Sequence, residues 1–367
     1  MTRTITVGGF DHLAPVPVGG VSPVVIQTMW KDRLSFTDIE GRAGETLAAR
    51  IENLKIMGCA LLRFAVPDIE AAEILGELAR RVSMPLIADI HFDYRLALRC
   101  LDFPVAKIRI NPGNIGGREK VEKVLSRAAA KGTPLRIGVN GGSLPLDIRT
   151  KVADGTLETA EALVEAALRE LAVFEEAGFR ETAVSMKAST VADTIKANRV
   201  FAERSDAPLH IGVTEAGPLV AGVARSAVAL ARILEEGIGD TIRVSLSDTV
   251  ENEVIAAREI LNLAGEAGNS RCTREGVTIT SCPRCGRNSF DTHAFTERWL
   301  SRLYRLGKRR TIAIMGCAVN GPGEARHADM GITGAGGKVL IFRRGVVVRT
   351  IDAEDADTAF EEELALL

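Results

Sequence analysis

The sequence is poor in aromatic residues, and its composition excludes several kinds of partner. Phe, Trp and Tyr make up 4% of the 367 residues, too few for a surface on which successive nucleic-acid bases stack. The formal net charge is −2, so the molecule as a whole does not attract nucleic acid or anionic lipid. Any anion must therefore be recognised by local basic groups.

Long apolar segments are also missing. No apolar run approaches the roughly 20 residues that cross a bilayer, and the N-terminal Met-Thr-Arg-Thr leads into no apolar signal-peptide segment. These features predict a cytoplasmic protein with no membrane partner, whose six cysteines stay reduced. With 46% hydrophobic residues, the chain is expected to bury a large core and to form two domains.

A repeating pattern of short apolar runs and amphipathic segments fills most of the chain after a hairpin-like lead-in over 1–23. The runs predict eight strands, at 24–29, 60–66, 86–90, 106–110, 135–139, 182–186, 209–213 and 241–246. Helical periodicity lies near 44–57, 69–82, 93–101, 117–131, 157–177, 191–204, 220–236 and 251–263. This alternation predicts an α/β fold, a (β/α)₈ TIM-like barrel. An open doubly wound sheet is the alternative, disfavoured because no Gly-x-Gly-x-x-Gly follows the first strand.

A polar, Gly-containing stretch then interrupts the pattern. It predicts a linker at 266–275 between a barrel domain over 1–265 and a small α+β domain over 276–367. In the smaller domain we expect helices near 293–305 and from about 353, with strands near 311–315, 338–342 and 346–350.

Charged side chains recur at the C-terminal ends of the predicted barrel strands, where barrel enzymes carry their active sites. The cations are Arg63, Arg109, Arg136, Lys187 and Arg243, and the acids are Asp89 and Glu215. A buried charge is costly without a counter-ion, so one Arg alone would indicate an internal ion pair. Because cations outnumber acids, the set predicts a clamp for a phosphate or diphosphate.

Other polar groups at the same ends complete the predicted site. His91, Asp89 and Glu215 are acid–base candidates. Neutral side chains that could orient a ligand are Asn111, Asn114, Asn140, Ser185 and Ser245. Structural alternatives remain, since a lone His is often a hydrogen-bonded core group and Asn next to Gly often caps a turn.

Three cysteines in the smaller domain suggest a metal centre. Cys282-Pro-Arg-Cys285 and the distant Cys317 suit an iron–sulfur cluster or another soft metal. The fourth ligand could be Glu324 or Cys272, or one position could stay open. A structural zinc ribbon is the alternative, although a ribbon normally has two Cys-x-x-Cys pairs.

With these residues assembled, the chain closely resembles the bacterial 4-hydroxy-3-methylbut-2-en-1-yl diphosphate synthases of the non-mevalonate isoprenoid pathway. The matching motifs run in order along nearly the whole chain. They are Ala88-Asp-Ile-His-Phe-Asp-Tyr-Arg95, Arg109-Ile-Asn-Pro-Gly-Asn114, Arg136-Ile-Gly-Val-Asn140, Thr214-Glu-Ala-Gly217, Glu236-Gly-Ile-Gly-Asp-Thr241, Ser281-Cys-Pro-Arg-Cys-Gly-Arg287 and Gly316-Cys-Ala-Val-Asn-Gly-Pro-Gly-Glu-Ala325.

The resemblance implies a cofactor, a substrate and partners. It implies a [4Fe–4S] cluster held by Cys282, Cys285, Cys317 and Glu324. The implied substrate is 2-C-methyl-D-erythritol 2,4-cyclodiphosphate, opened and dehydrated with two electrons from flavodoxin or ferredoxin. The cationic strand ends would hold the diphosphate, and Glu215 would handle the proton that departs with the hydroxyl. Family members are head-to-tail homodimers, in which one subunit's cluster domain covers the other's barrel.

One segment departs from the family pattern. Trp30-Lys31-Asp32-Arg33 stands where many members have small polar residues after the first strand, so the local contacts there are not implied by the resemblance. Two other hypotheses are a non-redox sugar-phosphate lyase or transferase with a structural zinc module, and an iron–sulfur sensor with a ligand-binding barrel. Metal content and turnover of the cyclodiphosphate would separate the three.

Overall fold

A computed structural model describes residues 1–272, 276–307 and 309–367, and for Ser143 and Asn320 the backbone alone. The chain divides into two compact units, Met1–Arg274 and Glu275–Leu367. Of the predicted linker at 266–275, residues 273–275 lie outside the described part, and residue 266 is the last residue of a helix.

Strands and helices alternate through the first unit. Its strands are β1 Ile5–Val7, β2 Val16–Val18, β3 Val25–Met29, β4 Cys59–Ala65, β5 Leu86–Ile90, β6 Lys107–Ile110, β7 Leu135–Asn140, β8 Thr182–Lys187, β9 His210–Ile211 and β10 Thr241–Ile242. Its helices are α1 Phe36–Ile39, α2 Gly41–Ile56, α3 Ile69–Ala79, α4 Tyr94–Cys100, α5 Pro112–Ile115, α6 Arg118–Lys131, α7 Leu146–Ala153, α8 Thr159–Glu176, α9 Val191–Arg204, α10 Leu219–Glu235 and α11 Val250–Glu266.

Eight of these strands form one parallel sheet. Their order is β8-β7-β6-β5-β4-β3-β10-β9, and a parallel bridge between Val184 and Leu209 brings the two ends of the sheet together. The prediction of a (β/α)₈ barrel is thus confirmed. β9 and β10 are shorter than predicted. A Cβ on Gly212 would lie 2.5 Å from the Arg243 carbonyl oxygen, which shows how closely the two backbones approach beyond the short strands.

An antiparallel hairpin of β1 and β2 covers the N-terminal end of the barrel. Its side chains Ile5, Val7 and Val18 form a buried apolar cluster with Leu61 and Ile87, which lie early in β4 and β5. Burying such side chains contributes about 1.5–3 kcal/mol each. The apolar end of the barrel is therefore sealed, and the polar residues of the same strands lie nearer its C-terminal end.

The second unit is a five-stranded mixed sheet with two helices. Its elements are β11 Val277–Ser281, α12 Thr292–Tyr304, β12 Arg310–Met315, β13 Met330–Ala335, β14 Lys338–Arg343, β15 Val346–Asp352 and α13 Ala356–Ala365. β11, β12 and β13 are parallel, and β13, β14 and β15 are antiparallel. The helices pack through Phe295, Trp299 and Phe360, whose ring centroids lie 4.8–5.8 Å apart. β11 and β13 were not among the predicted strands.

Within the described ranges, every helix is too short or too polar to traverse a lipid bilayer.

Candidate active site and cysteine centre

Neighbouring barrel strands bring the predicted charged residues side by side. Asp89 on β5 is in register with Arg109 on β6, and Arg109 is in register with Arg136 on β7. Lys187 is the last residue of β8, and Arg243 directly follows β10. Because parallel strands of a barrel present their C-terminal ends at one face, these side chains belong to one group.

Asp89 lies at the centre of this group as a counter-ion. Its Oδ1 is 3.0 Å from Nη1 of Arg109, and its Oδ2 is 3.6 Å from Nε of Arg63. His91 Nε2 lies 3.5 Å from Oδ2 and 2.8 Å from Arg109 Nη1. Burial alone would raise the pKa of Asp89, but the charge of Arg63, the hydrogen bond to His91 and the charge of Arg109 outweigh it and hold that pKa well below its usual range. The carboxylate is therefore ionised at physiological pH.

Arg136 and Lys187 are buried cations with no carboxylate in ion-pair distance among the described residues. Nε and Nη1 of Arg136 have no hydrogen-bond partner in the part of the chain that the structure describes. Burial, reinforced by the charges of Arg63 and Arg109, lowers the pKa of Arg136 well below its usual value. Burial and the charge of Arg243 do the same for the pKa of Lys187. An anion bound here would stabilise both charged forms.

Two further cations converge on one sulfur atom. Nη2 of Arg63 lies 2.8 Å, and Nη1 of Arg243 lies 3.6 Å, from Sδ of Met29 at the end of β3. Burial lowers the pKa of Arg63 to about 10, which leaves it charged at neutral pH. A thioether is a weak acceptor, so both guanidinium groups retain donors for an anion.

Neutral polar residues lie on the same strands or just beyond them. Asn111 is buried at the start of α5, and Asn114 lies within α5. Asn140 ends β7. Ser185 donates to the Ile137 carbonyl at 3.4 Å, while Ser245 lies in the partly exposed segment after β10.

Glu215 is exposed on the turn after β9 and has a left-handed backbone, with φ of 51°. This conformation costs a non-Gly residue about 1 kcal/mol or more. Arg225 holds the turn, because its Nη1 donates to the Ala216 carbonyl at 2.7 Å. Glu215 lines a cavity of about 570 Å³ together with Asn140 and Lys187, so a carboxylate and a cation from the predicted set face the same space.

Three residues around this site were missed in the sequence. Lys107 is fully buried on β6, and its Nζ has no hydrogen-bond partner within the described ranges. Its spacing of two residues from Arg109 was a usable signal, because alternate residues of a strand face the same side. Met29 and the buried Glu253 of α11 gave no such signal, since each belongs to an ordinary apolar or amphipathic run.

The segment that departs from the family pattern is held by the barrel. Trp30 is buried and stacks on Phe64, with ring centroids 5.8 Å apart. The Arg50 guanidinium lies 4.8 Å from the Trp30 ring centroid. Lys31 Nζ lies 2.8 Å from Oε1 of Glu253 and 2.5 Å from the Leu246 carbonyl oxygen. The bulky and cationic residues thus form specific contacts at the end of β3.

The cysteines of the second unit follow two adjacent parallel strands. Cys282 comes directly after β11, and Cys317 comes two residues after β12. Ser281 is in register with Ile314, so both cysteines leave the sheet at the same edge. Glu324 ends a turn of π-helix over Val319–Glu324. Cys285 is exposed, Cys282 is partly buried and Cys317 is buried.

The donor set suits an iron–sulfur cluster in its chemistry, since it offers three thiols and a carboxylate. The two loops approach closely at Gly316, where a Cβ would lie 2.1 Å from Asn288 Oδ1 and 3.6 Å from Cys282 Sγ. A side chain at position 316 would therefore displace the Asn288 amide. Across the described ranges, however, no three His, Cys, Asp or Glu side chains are already arranged around one metal position. Cys282, Cys285, Cys317 and Glu324 therefore offer the donor atoms that the cluster needs. Cys282 and Cys317 also leave the sheet at the same edge.

The remaining cysteines differ from these three. Burial raises the pKa of Cys59 and of Cys100 to about 12, which is typical of core thiols. Burial also raises the pKa of Cys272 to about 11, so Cys272 is protonated at neutral pH. Cys272 also belongs to the first compact unit, whereas Cys282, Cys285, Cys317 and Glu324 belong to the second.

The geometry defines a two-domain protein, a (β/α)₈ barrel with cationic strand ends followed by a cysteine-bearing α+β domain. The profile described as GcpE TIM-barrel domain matches residues 2–258, and the GcpE protein C-terminal domain matches residues 278–365. The chain belongs to the GcpE family.

Curated relatives match over the full length. The chain is 50% identical to the protein named 4-hydroxy-3-methylbut-2-en-1-yl diphosphate synthase (flavodoxin) of Treponema pallidum, covering 100% of this chain and 92% of the relative. Proteins of the same name from Treponema denticola and Bacillus subtilis are 47% and 42% identical, covering 100% of this chain and 99% and 91% of the relatives. The resemblance recognised in the sequence is thereby confirmed.

Proposed function

We propose that this chain converts 2-C-methyl-D-erythritol 2,4-cyclodiphosphate into 4-hydroxy-3-methylbut-2-enyl diphosphate. Ring opening consumes two electrons, and the hydroxyl that departs leaves as water. The observation that carries the proposal is the group of buried cations at the barrel strand ends, which exceeds its carboxylates in charge. The full-length relatives are named as synthases of the same product.

The barrel binds the diphosphate through its strand-end cations. Arg136 and Lys187, which have no carboxylate in ion-pair distance among the described residues, gain a partner in the anion, and Arg63 and Arg243 contribute donors from the side of Met29. Arg109 stays oriented by Asp89. Asn111, Asn114, Asn140, Ser185 and Ser245 supply neutral hydrogen bonds that orient the sugar carbon chain.

Glu215 supplies the proton with which the hydroxyl leaves as water. Its exposed carboxyl group faces the cavity that Lys187 and Asn140 also line, and its turn is fixed by Arg225. His91 is half-exposed beside Arg109 and is a second acid–base candidate near the site. Asp89 orients both His91 and Arg109. General acid catalysis requires a proton-donating group within hydrogen-bond reach of the leaving oxygen.

Cys282, Cys285, Cys317 and Glu324 would hold a [4Fe–4S] cluster. When bound, the cluster supplies single-electron transfer to the substrate. A carboxylate binds such iron more weakly than a thiolate does, so Glu324 would be the ligand most easily displaced. Cys282 packs against buried apolar side chains that include Met315 and Ala325. This packing would hold one of the cysteine ligands in place.

Flavodoxin is the proposed electron donor, as in the names of the relatives, with ferredoxin as the alternative. We also propose a cytoplasmic, head-to-tail homodimer in which the cysteine domain of one subunit completes the barrel site of the other. Support for the dimer is that the cations and the cysteines belong to different compact units. None of the six cysteines, all of which lie in the described ranges, forms a disulfide, as is usual in a reducing compartment.

The decisive experiment is anaerobic purification followed by metal analysis and turnover. We expect about four irons and four sulfides per chain, and formation of the allylic diphosphate from the cyclodiphosphate with reduced flavodoxin. Cys317→Ser should lose iron and turnover together, while Glu324→Ala should keep much of the iron and lose rate. One zinc per chain without turnover would replace the proposal with a non-redox barrel enzyme.

Subunit mixing tests the dimer. Arg109→Met and Cys317→Ser are each expected to be inactive alone. Unfolded together and refolded, they form some dimers in which one composite site is intact, and about a quarter of the wild-type rate should return in a statistical mixture. Retention of full activity by a purified monomer would contradict the arrangement.

A further inference from the structure

Glu253 is a fully buried carboxylate on the helix that follows the last barrel strand. It lies in the first turn of α11, with a side-chain exposure of 0%. An unpaired charge in such a place would cost several kcal/mol, so its surroundings must contain donors. They come from β3, from the segment after β3 and from the segment after β10.

The closest donors fix the carboxylate itself. The Thr28 hydroxyl donates to Oε2 at 2.6 Å, the Leu246 N–H donates to Oε1 at 3.0 Å, and Lys31 Nζ lies 2.8 Å from Oε1. Burial would raise the pKa of Glu253, but the charge of Arg243 and the hydrogen bonds from Lys31 and Thr28 outweigh it and lower that pKa. Glu253 is therefore a fixed negative charge at neutral pH.

Arg243 meets this charge along one edge of its guanidinium group. Its Nε lies 3.4 Å from Oε2 and its Nη2 lies 3.4 Å from Oε1. The remaining nitrogen, Nη1, lies 3.6 Å from Met29 Sδ, the atom that Arg63 also contacts. The two carboxylate oxygens of Glu253 thus bind the Nε and Nη2 edge of Arg243. Nη1 stays on the side of Met29 Sδ, the atom that the Arg63 guanidinium also contacts.

We propose that Glu253 is a positioning residue for the reaction. It orients Arg243 so that Nη1, together with Arg63, faces the diphosphate, and it keeps the two cations from turning away from each other. This inference rests on the proposed function. It adds a residue that does not touch substrate and that lies on a helix outside the barrel sheet.

Lys31 also binds the Glu253 carboxylate, but its role differs from that of Arg243. Its ammonium group bridges Glu253 and the Leu246 carbonyl, which ties the segment after β3 to the segment after β10. Its side chain is 29% exposed, so solvent stabilises its charge better than that of Arg243, at 15%. Removing Lys31 should therefore loosen these segments without freeing Arg243 from Glu253.

A double-mutant cycle on substrate affinity tests the proposal. The dissociation constant of the cyclodiphosphate is measured anaerobically with the electron donor withheld, and kcat is measured separately with the donor. Glu253→Gln should raise the dissociation constant about tenfold, with kcat at saturation within threefold of wild type. In the Arg243→Met background the same change should have less than a twofold effect. Glu253→Asp, which keeps the charge, should recover part of the affinity.

Two controls separate orientation from folding. Glu251→Gln lies on the same helix and removes a surface pair with Arg50, so affinity should not change. Thermal unfolding of every variant reports stability. If Glu253→Gln does not fold, Glu253→Asp replaces it in the cycle. Its loss of affinity should be smaller and should again be absent in the Arg243→Met background.

The outcomes also distinguish this inference from the proposed function. Equal effects of Glu253→Gln with and without Arg243, or wild-type affinity in that variant, would overturn the positioning role while the wild-type protein still turns over the cyclodiphosphate. A wild-type protein that neither binds nor converts the cyclodiphosphate would instead overturn the function.

Discussion

Arg109 lies across the backbone of Gly138 on the neighbouring strand. Its Nη2 donates to the Gly138 carbonyl at 3.3 Å, and a Cβ on residue 138 would lie 2.3 Å from its Nε. The absence of a side chain at 138 therefore allows Arg109 to reach Asp89 and His91 at the same time.

Gly138→Ala should displace Arg109. We expect a loss of about 1–3 kcal/mol in the free energy of unfolding, the usual cost of overpacking a core, and weaker binding of the cyclodiphosphate. Urea unfolding and an affinity measurement check this. Gly141→Ala is the control for stability, because a Cβ there would have no neighbour within 4 Å among the atoms that the structure describes. Equal stability of the two variants would contradict the close approach.

Asp89→Asn should remove the counter-ion of two buried cations, Arg63 and Arg109. Breaking such a group costs about 3–5 kcal/mol. Because the folded-state pKa of Asp89 is lowered, its contribution is present above its unfolded pKa of about 3.9 and is lost as pH falls below that value. The penalty of the variant, measured by urea unfolding, should therefore shrink below about pH 4. The surface variant Asp102→Asn should cost less than about 1 kcal/mol.

Lys107→Met should stabilise the protein. Burial, with the charges of Arg136 and Arg63, lowers the pKa of Lys107 well below its usual value. At pH values between that lowered pKa and the unfolded pKa of about 10.4, the unfolded chain therefore binds more protons than the folded chain. The wild-type lysine therefore destabilises the fold more as pH falls from about 10. Met should gain about 1 kcal/mol or more at pH 7 and less at pH 9.5, by urea unfolding. The exposed Lys131→Met should show no such difference between the two pH values.

Glu215→Gly should separate stability from activity. Gly adopts the left-handed backbone of residue 215 without strain, and the net gain, after its greater freedom in the unfolded chain, should be up to about 1 kcal/mol. Turnover should fall at least tenfold because the proton donor is lost. Glu215→Gln is the matched variant, with unchanged stability and the same loss of rate. Full activity in Glu215→Gln would remove Glu215 from the proposed mechanism.

The barrel could be predicted because its strands and helices have different periods. The helix predicted at 191–204 has the observed bounds Val191–Arg204, and the strand predicted at 86–90 is β5. The strand-end cations were found because charged side chains within apolar runs are conspicuous. Their contacts with one another were not predictable, since register between strands decides which pairs meet.

Other elements depend on tertiary packing that the sequence does not display. β13 contains Gly331, where a Cβ would lie 2.2 Å from the Phe342 ring. The Phe342 side chain of the neighbouring strand thus packs directly on the β13 backbone, a contact that the sequence of β13 does not reveal. α5 is a single turn that begins at Pro112 and has no helical period to detect. Glu253 has the pattern of an ordinary surface residue of a helix, and only the fold shows that its side chain is buried.

The barrel is joined between β8 and β9 by the bridge of Val184 with Leu209, and β9 and β10 pair over two residues each. Few ladder hydrogen bonds protect this quarter of the wall, so its amide protons should exchange with solvent through local openings well before those of β4 to β7. Glu215 and Arg243 both belong to this segment. The part of the wall that supplies Glu215 and Arg243 is therefore also the part that can open locally when a ligand enters or leaves.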